Sequence, residues 1–133
     1  MQKMILLFAL VSAQQVSLAQ RTVLMGKLVD AHDAPVKQAE LIVIKDDRDY
    51  KAVITKDGLY YTDSVYDGDY KVYVFVDKVT YEAKFKLIPP GKKPTFYNFK
   101  LANNKVEVSM VESDPFMEKE LLRVKKEQAV YNY

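Results

Sequence analysis

Two runs of strict alternation, Tyr70 to Val76 and Val79 to Leu87, limit what this chain can fold into more than any other feature. In the first, Tyr70, Val72, Val74 and Val76 alternate with Lys71, Tyr73, Phe75 and Asp77. In the second, Val79, Tyr81, Ala83, Phe85 and Leu87 alternate with Thr80, Glu82, Lys84 and Lys86. Period two is the pattern of a strand with one face on a core. Folding at Asp77-Lys78 pairs Val76 with Val79, Val74 with Tyr81, Val72 with Ala83 and Tyr70 with Phe85. Every pair is apolar on one face, and a one-residue slip would carry all of them to solvent, so the register is well specified. Asp-Lys is uncommon as a two-residue type I′ turn, which leaves room for a longer loop.

The rest of the chain supplies more short strands. Leu24 to Val29 reads as the first, ended by the turn formers of Asp30-Ala-His-Asp-Ala-Pro35. Ala39 to Lys45 reads as a buried strand, and Asp46 to Asp49 as a charged, solvated loop. Lys51 to Thr55 and Leu59 to Thr62 flank Lys56-Asp-Gly58, a hairpin signal in which Gly58 supplies the positive φ. Thr95 to Leu101 follows a proline-rich loop, with Tyr97, Phe99 and Leu101 on one side and Phe96, Asn98 and Lys100 on the other. Asn103-Asn104 turns into Val106, Val108 and Met110. At Ser113-Asp114-Pro115 the pattern changes to an N-cap, a proline at the first helical position and a helix-forming stretch. The expectation is an all-β chain: a single antiparallel β-sandwich of seven to eight strands, then one C-terminal amphipathic helix.

Ten Tyr, six Phe and only four Gly among 133 residues agree with a β-rich chain. The segment before the first strand has a different character. Lys3 precedes an apolar run from Met4 to Ala13, and Ser17 and Ala19 occupy the −3 and −1 positions of a small-residue cleavage site. The run is half the length that a membrane span needs. Residues 1–19 therefore read as a signal peptide cut between Ala19 and Gln20. Residues 20–112 read as the β-domain and 113–133 as the helix and tail. The expected mature protein is exported, periplasmic or secreted, soluble and without a membrane span. With no cysteine, disulfides, thiolate catalysis and cysteine metal sites are excluded. A formal charge of +2 provides no pull toward nucleic acid.

Two stretches resemble a known family. Gly26-Lys-Leu-Val-Asp30-Ala-His-Asp-Ala-Pro35-Val-Lys-Gln-Ala39 resembles the opening of carboxypeptidase regulatory-like domains, which have a transthyretin-like sandwich. Thr55-Lys-Asp57-Gly58-Leu-Tyr60 and Val65-Tyr-Asp-Gly68-Asp-Tyr70-Lys-Val72-Tyr-Val74 resemble its continuation. Asp33 stands where the family usually has Gly, and Asp tolerates left-handed backbone better than most residues. The resemblance covers about 26–76. It implies an exported bacterial protein, since the family is frequent there, and an accessory or structural role rather than a catalytic one.

The candidate chemistry agrees. His32 is the only histidine, and a metal or catalytic site would need partners that no motif supplies. An enzyme of the same sandwich, the hydroxyisourate hydrolase, needs several histidines and a Tyr-Arg-Gly-Ser terminus; this chain ends Tyr131-Asn-Tyr133. Asp63, Asp67 and Gly68 fit part of a calcium loop, but Val65 and Val74 fall where oxygen ligands are required. No catalytic residue, metal or cofactor is expected.

Interaction is the remaining class, with an unidentified envelope protein or a glycan as partner. Tyr73, Phe75 and Phe96 lie off the core faces of their strands and could form an aromatic platform for a sugar, though Trp, the strongest stacking residue, is missing. Met117, Leu121 and Val124 form an apolar stripe on the helix. A helix of that length is marginal alone, so the stripe must bury on the domain itself or on a partner.

Overall fold

The computed structural model describes residues 21–89, 94–112 and 114–131. The expected signal peptide and its Ala19/Gln20 cleavage site lie outside the described residues. Among the described residues nine strands run in chain order: β1 (Arg21–Val29), β2 (Glu40–Lys45), β3 (Arg48–Lys51), β4 (Val53–Ile54), β5 (Leu59–Tyr66), β6 (Gly68–Val76), β7 (Val79–Leu87), β8 (Thr95–Ala102) and β9 (Lys105–Glu112). A helix, α1 (Pro115–Tyr131), follows them. Most of the described residues are in strands.

The β6–β7 hairpin has the register that the alternation dictates, from Val76↔Val79 through Val74↔Tyr81 and Val72↔Ala83 to Tyr70↔Phe85. Its turn is the short one: Asp77 takes φ 55° and the strand pairing resumes at Val79. Asp46 does the same at φ 55° between β2 and β3, and Asn103 and Asn104 both take positive φ between β8 and β9. Asp and Asn adopt this region because a short polar side chain can bond its own backbone. The stretch expected as a charged loop is shorter than it looked, since Arg48 and Asp49 already pair with Lys45 and Ile44.

The expected sandwich is corrected to a barrel-like sheet. All nine strands belong to one nearly closed sheet, ordered β3-β2-β6-β7-β9-β8-β1-β5-β4. Its two ends, β3 and β4, are consecutive in the chain, with only Ala52 between them. The Ala52 N–H donates to the Leu41 carbonyl at 2.9 Å while β3 pairs with β2 and β4 pairs with β5. One extended stretch thus hands over from one end of the sheet to the other. On the far side β7 and β9 meet in a single parallel pair, Glu82↔Lys105, and β1 runs parallel to β8. Alternation reports which residues face inward; it does not report whether the inward faces belong to two sheets or to one sheet closed on itself.

Inside the barrel, Leu24, Leu28, Leu41, Val43, Tyr60, Val65, Tyr70, Val72, Val74, Leu87, Tyr97 and Phe99 are buried together. Aromatic rings run through them: Tyr70 stacks near Phe85, Phe85 meets Tyr97 and Phe99, and Phe99 lies 4.8 Å from Tyr60. The Tyr60 hydroxyl donates to the Tyr97 carbonyl at 2.5 Å and the Tyr70 hydroxyl to the Tyr66 carbonyl at 2.6 Å, while the Tyr97 hydroxyl accepts the Ile88 N–H at 3.0 Å, so each buried phenol has a partner. Gly26 makes this approach possible, because a Cβ there would fall onto the Tyr97 carbonyl oxygen.

A second core lies outside the barrel wall. Val23 and Met25 of β1, Leu59 of β5 and Phe96 of β8 face outward and are covered by Met117, Leu121 and Val124 of α1. β1 is therefore buried on both faces, which accounts for its unbroken Val23-Leu-Met25 run. Asp114 caps the helix: its Oδ1 accepts the Met117 N–H at 3.2 Å, and Pro115 follows at the first position.

Candidate interaction surface

The six candidate interaction residues separate into two groups. Phe96, Met117, Leu121 and Val124 are buried against one another between the barrel wall and α1, at 7% exposure or less, so none of them reaches a partner. The reason is reciprocal need: the outward apolar side chains of β1, β5 and β8 require a cover, and α1 requires somewhere to place its stripe. Tyr73 and Phe75 are on the other side of the barrel. Tyr73 is half-buried and Phe75 is 38% exposed.

Strand β6 holds both rings rigidly. It is bonded on one side to β2, from Glu40↔Phe75 to Ile44↔Lys71, and on the other to β7 along its full length. Residues two apart share a face, and the Tyr73 and Phe75 rings lie 6.4 Å apart and within 13° of parallel. The register places Ile42 beside Tyr73 on β2, with Glu82 opposite on β7, and Thr80 opposite Phe75. The next step along β6 carries Lys71, which sits directly opposite Lys84.

At this end the face drops into a depression of about 530 Å³, lined by Ile44, Asp46, Asp69, Tyr70, Lys71, Lys84 and Phe85. The size is that of a small-ligand cleft. Burial pushes the Tyr70 phenol up to about 12, helped by Tyr50 and by the Asp67 and Asp46 carboxylates, so it is neutral at neutral pH. Lys45 does not open onto this charge balance: its Nζ donates to the Asp67 carbonyl at 2.8 Å, and its chain lies against Gly68. Among the described residues neither Lys71 nor Lys84 forms an ion pair.

The remaining candidates are structural in their geometry. In the Asp30–Pro35 loop, Asp30 Oδ1 accepts the backbone N–H of His32 at 2.8 Å and of Ala34 at 3.0 Å. Those two donors, Ala34 first, hold the Asp30 carboxyl below its usual range. Asp33 takes φ 64°, the left-handed geometry that the resemblance assigns to Gly, and its carboxylate meets Lys100 at 3.2 Å. His32 is exposed. A smaller cavity of about 320 Å³ between β1, β8 and β9 is bridged by the Lys27 N–H donating to Asn98 Oδ1 at 2.9 Å. Among the described residues no group of His, Asp and Glu is placed to hold a metal ion, and no helix is long and apolar enough to cross a membrane.

Ile42, Ile44, Lys71 and Lys84 were not singled out from sequence. Lys71 and Lys84 could have been, because the hairpin register alone sets them opposite; Ile42 and Ile44 could not, because the partner of β6 on its other side is a tertiary matter. Comparison with family models, with curated proteins and with solved structures gave no match.

Proposed function

We propose that this chain is an exported, non-catalytic β-domain whose segment 26–76 resembles carboxypeptidase regulatory-like domains, although its sheet is barrel-like where theirs form a sandwich. It serves as an interaction or structural module in the bacterial envelope, and it meets its partner with the outer face of β2, β6 and β7. The observation that carries the reading is the partly exposed Tyr73–Phe75 pair on a fully paired central strand. Helix α1 covers the opposite wall, leaving Phe75 exposed and Tyr73 half-buried, and solvent-facing aromatic groups in a cluster mark interaction sites. The family reading is supported by the roles of the resembling residues: Gly58 at φ 79° in a turn, Asp33 in left-handed geometry, and Tyr60 and Tyr70 anchored by their hydroxyls.

The reading is tested in a Gram-negative host. The chain recovered from the envelope fraction should have an intact mass that begins at Gln20; a mass retaining Met1 overturns export. A photo-crosslinking residue at position 73 should give a discrete adduct in the envelope, and the same residue at the exposed position 37 should give none. Equal adducts from both positions overturn the assignment of the face. A second reading, carbohydrate binding, is favoured by the near-parallel Tyr73 and Phe75 rings, since flat apolar ring faces are what a sugar stacks upon.

A further inference from the structure

We infer that the ligand of the β2–β6–β7 face is an acidic polysaccharide, its sugar rings on Tyr73 and Phe75 and its carboxylate or sulfate groups on Lys71 and Lys84. The inference rests on the reading of this face as the binding surface and specifies its chemistry.

The charge pattern of the hairpin is the first argument. On the outward side of β6 and β7, Asp69 lies opposite Lys86 and Glu82 is in register with Lys105 of β9, opposite charges side by side though not in ion-pair contact. Lys71 and Lys84 lie opposite each other. Like charges directly opposed in a sheet destabilise it, and here none of the described residues forms an ion pair with either lysine. Lys71 and Lys84 both line the depression, and Lys71 is two residues along β6 from Tyr73. The Asp46 and Asp69 carboxylates line the same depression, so an anion is held at the lysines and not deeper among the acids.

The backbone is the second argument. Extended peptides commonly dock by adding a strand to an open edge. β6 has no open edge, being paired on both sides, so recognition on this face uses side chains alone. Two parallel rings beside two cations offer stacking and charge pairing together, the combination that a uronic-acid or sulfated sugar unit presents. A neutral glycan would leave the lysine pair unused, and an acidic peptide would leave the rings unused.

Affinity electrophoresis of the full chain in gels containing polygalacturonate, heparin, neutral dextran or poly-glutamate tests this. Retardation by polygalacturonate or heparin is expected, weakening as salt rises, with none by dextran or poly-glutamate. The double variants Lys71→Ala/Lys84→Ala and Tyr73→Ala/Phe75→Ala should each weaken binding about tenfold or more. Thermal unfolding is the control for folding, and the lysine double variant should melt at or above the parent temperature because a like-charge pair is removed. No retardation by either acidic glycan overturns the inference. Equal retardation by poly-glutamate, unaffected by loss of the rings, overturns it in favour of unspecific polyanion binding. Dextran binding that needs Tyr73 and Phe75 but not the lysines overturns the acidic ligand while leaving the face itself in place.

Discussion

At the scale of single residues, each inward position of the hairpin does a different amount of work. Val74 is fully buried between Leu41 and Tyr81 in the register. Val74→Asp places an unpaired charge in the barrel centre and should cost on the order of 4 kcal/mol or more, enough to unfold a marginally stable domain. Lys71→Ala, one residue away and facing out, should leave the urea midpoint unchanged or slightly raised. Equal midpoints for the two variants would contradict the register. Thr62 is a quieter case. β1 has an irregularity between Val23 and Met25, and the Leu24 N–H at that point donates to the Thr62 Oγ1 at 3.4 Å. Thr62→Val keeps the shape and removes the acceptor, so it should destabilise by roughly 1–3 kcal/mol, the usual cost of an orphaned buried donor. Urea denaturation of that variant measures it.

Among the elements, α1 is the one whose removal changes what the barrel exposes. Met117 is fully buried against the outward side chains of β1, β5 and β8. Met117→Ala should cost about 2–5 kcal/mol, as large-to-small changes in a core do. Asp114→Ala removes the cap on the Met117 N–H and a 3.8 Å pairing with Lys27, and should cost about 1 kcal/mol, nearly all of it from the cap. Deleting the helix uncovers Val23, Met25, Leu59 and Phe96 together. Thermal unfolding should then fall steeply and hydrophobic-dye binding should appear; a truncated chain that melts like the parent would show that the outer core contributes nothing.

For the whole molecule, the shared feature is a core that buries phenols. Burial raises the Tyr60 and Tyr97 hydroxyls as well as Tyr70, which reaches about 12 against an ordinary 10.0. A phenol with a folded pKa above its unfolded value stabilises the fold fully below the unfolded value. That stability is lost as pH rises through the folded one, because the unfolded chain ionises first. Stability should therefore decline between about pH 10 and pH 12, with tyrosinate absorbance rising together with loss of structure. Denaturation midpoints across this range test the coupling, and ionisation of all ten tyrosines before unfolding would refute it.

The chain's own pattern determined the inward set of β6 and β7, the Asn103-Asn104 turn, the Asp114 cap and the stripe on α1, because each is set by neighbours within a few residues. The left-handed geometry at Asp33 and Gly58 was legible for the same reason. Only the tertiary structure decided that the sheet closes into a barrel, since closure depends on Ala52 carrying one strand from β2 to β5 across the molecule. It also decided which off-core aromatic groups stay in solvent. Phe96 and Phe75 look alike in sequence, each outward on an alternating strand. α1 can cover only one wall, and it covers the wall where Val23, Met25 and Leu59 supply a second apolar layer. Burial is a property of what lies opposite a side chain, and what lies opposite is set by the fold.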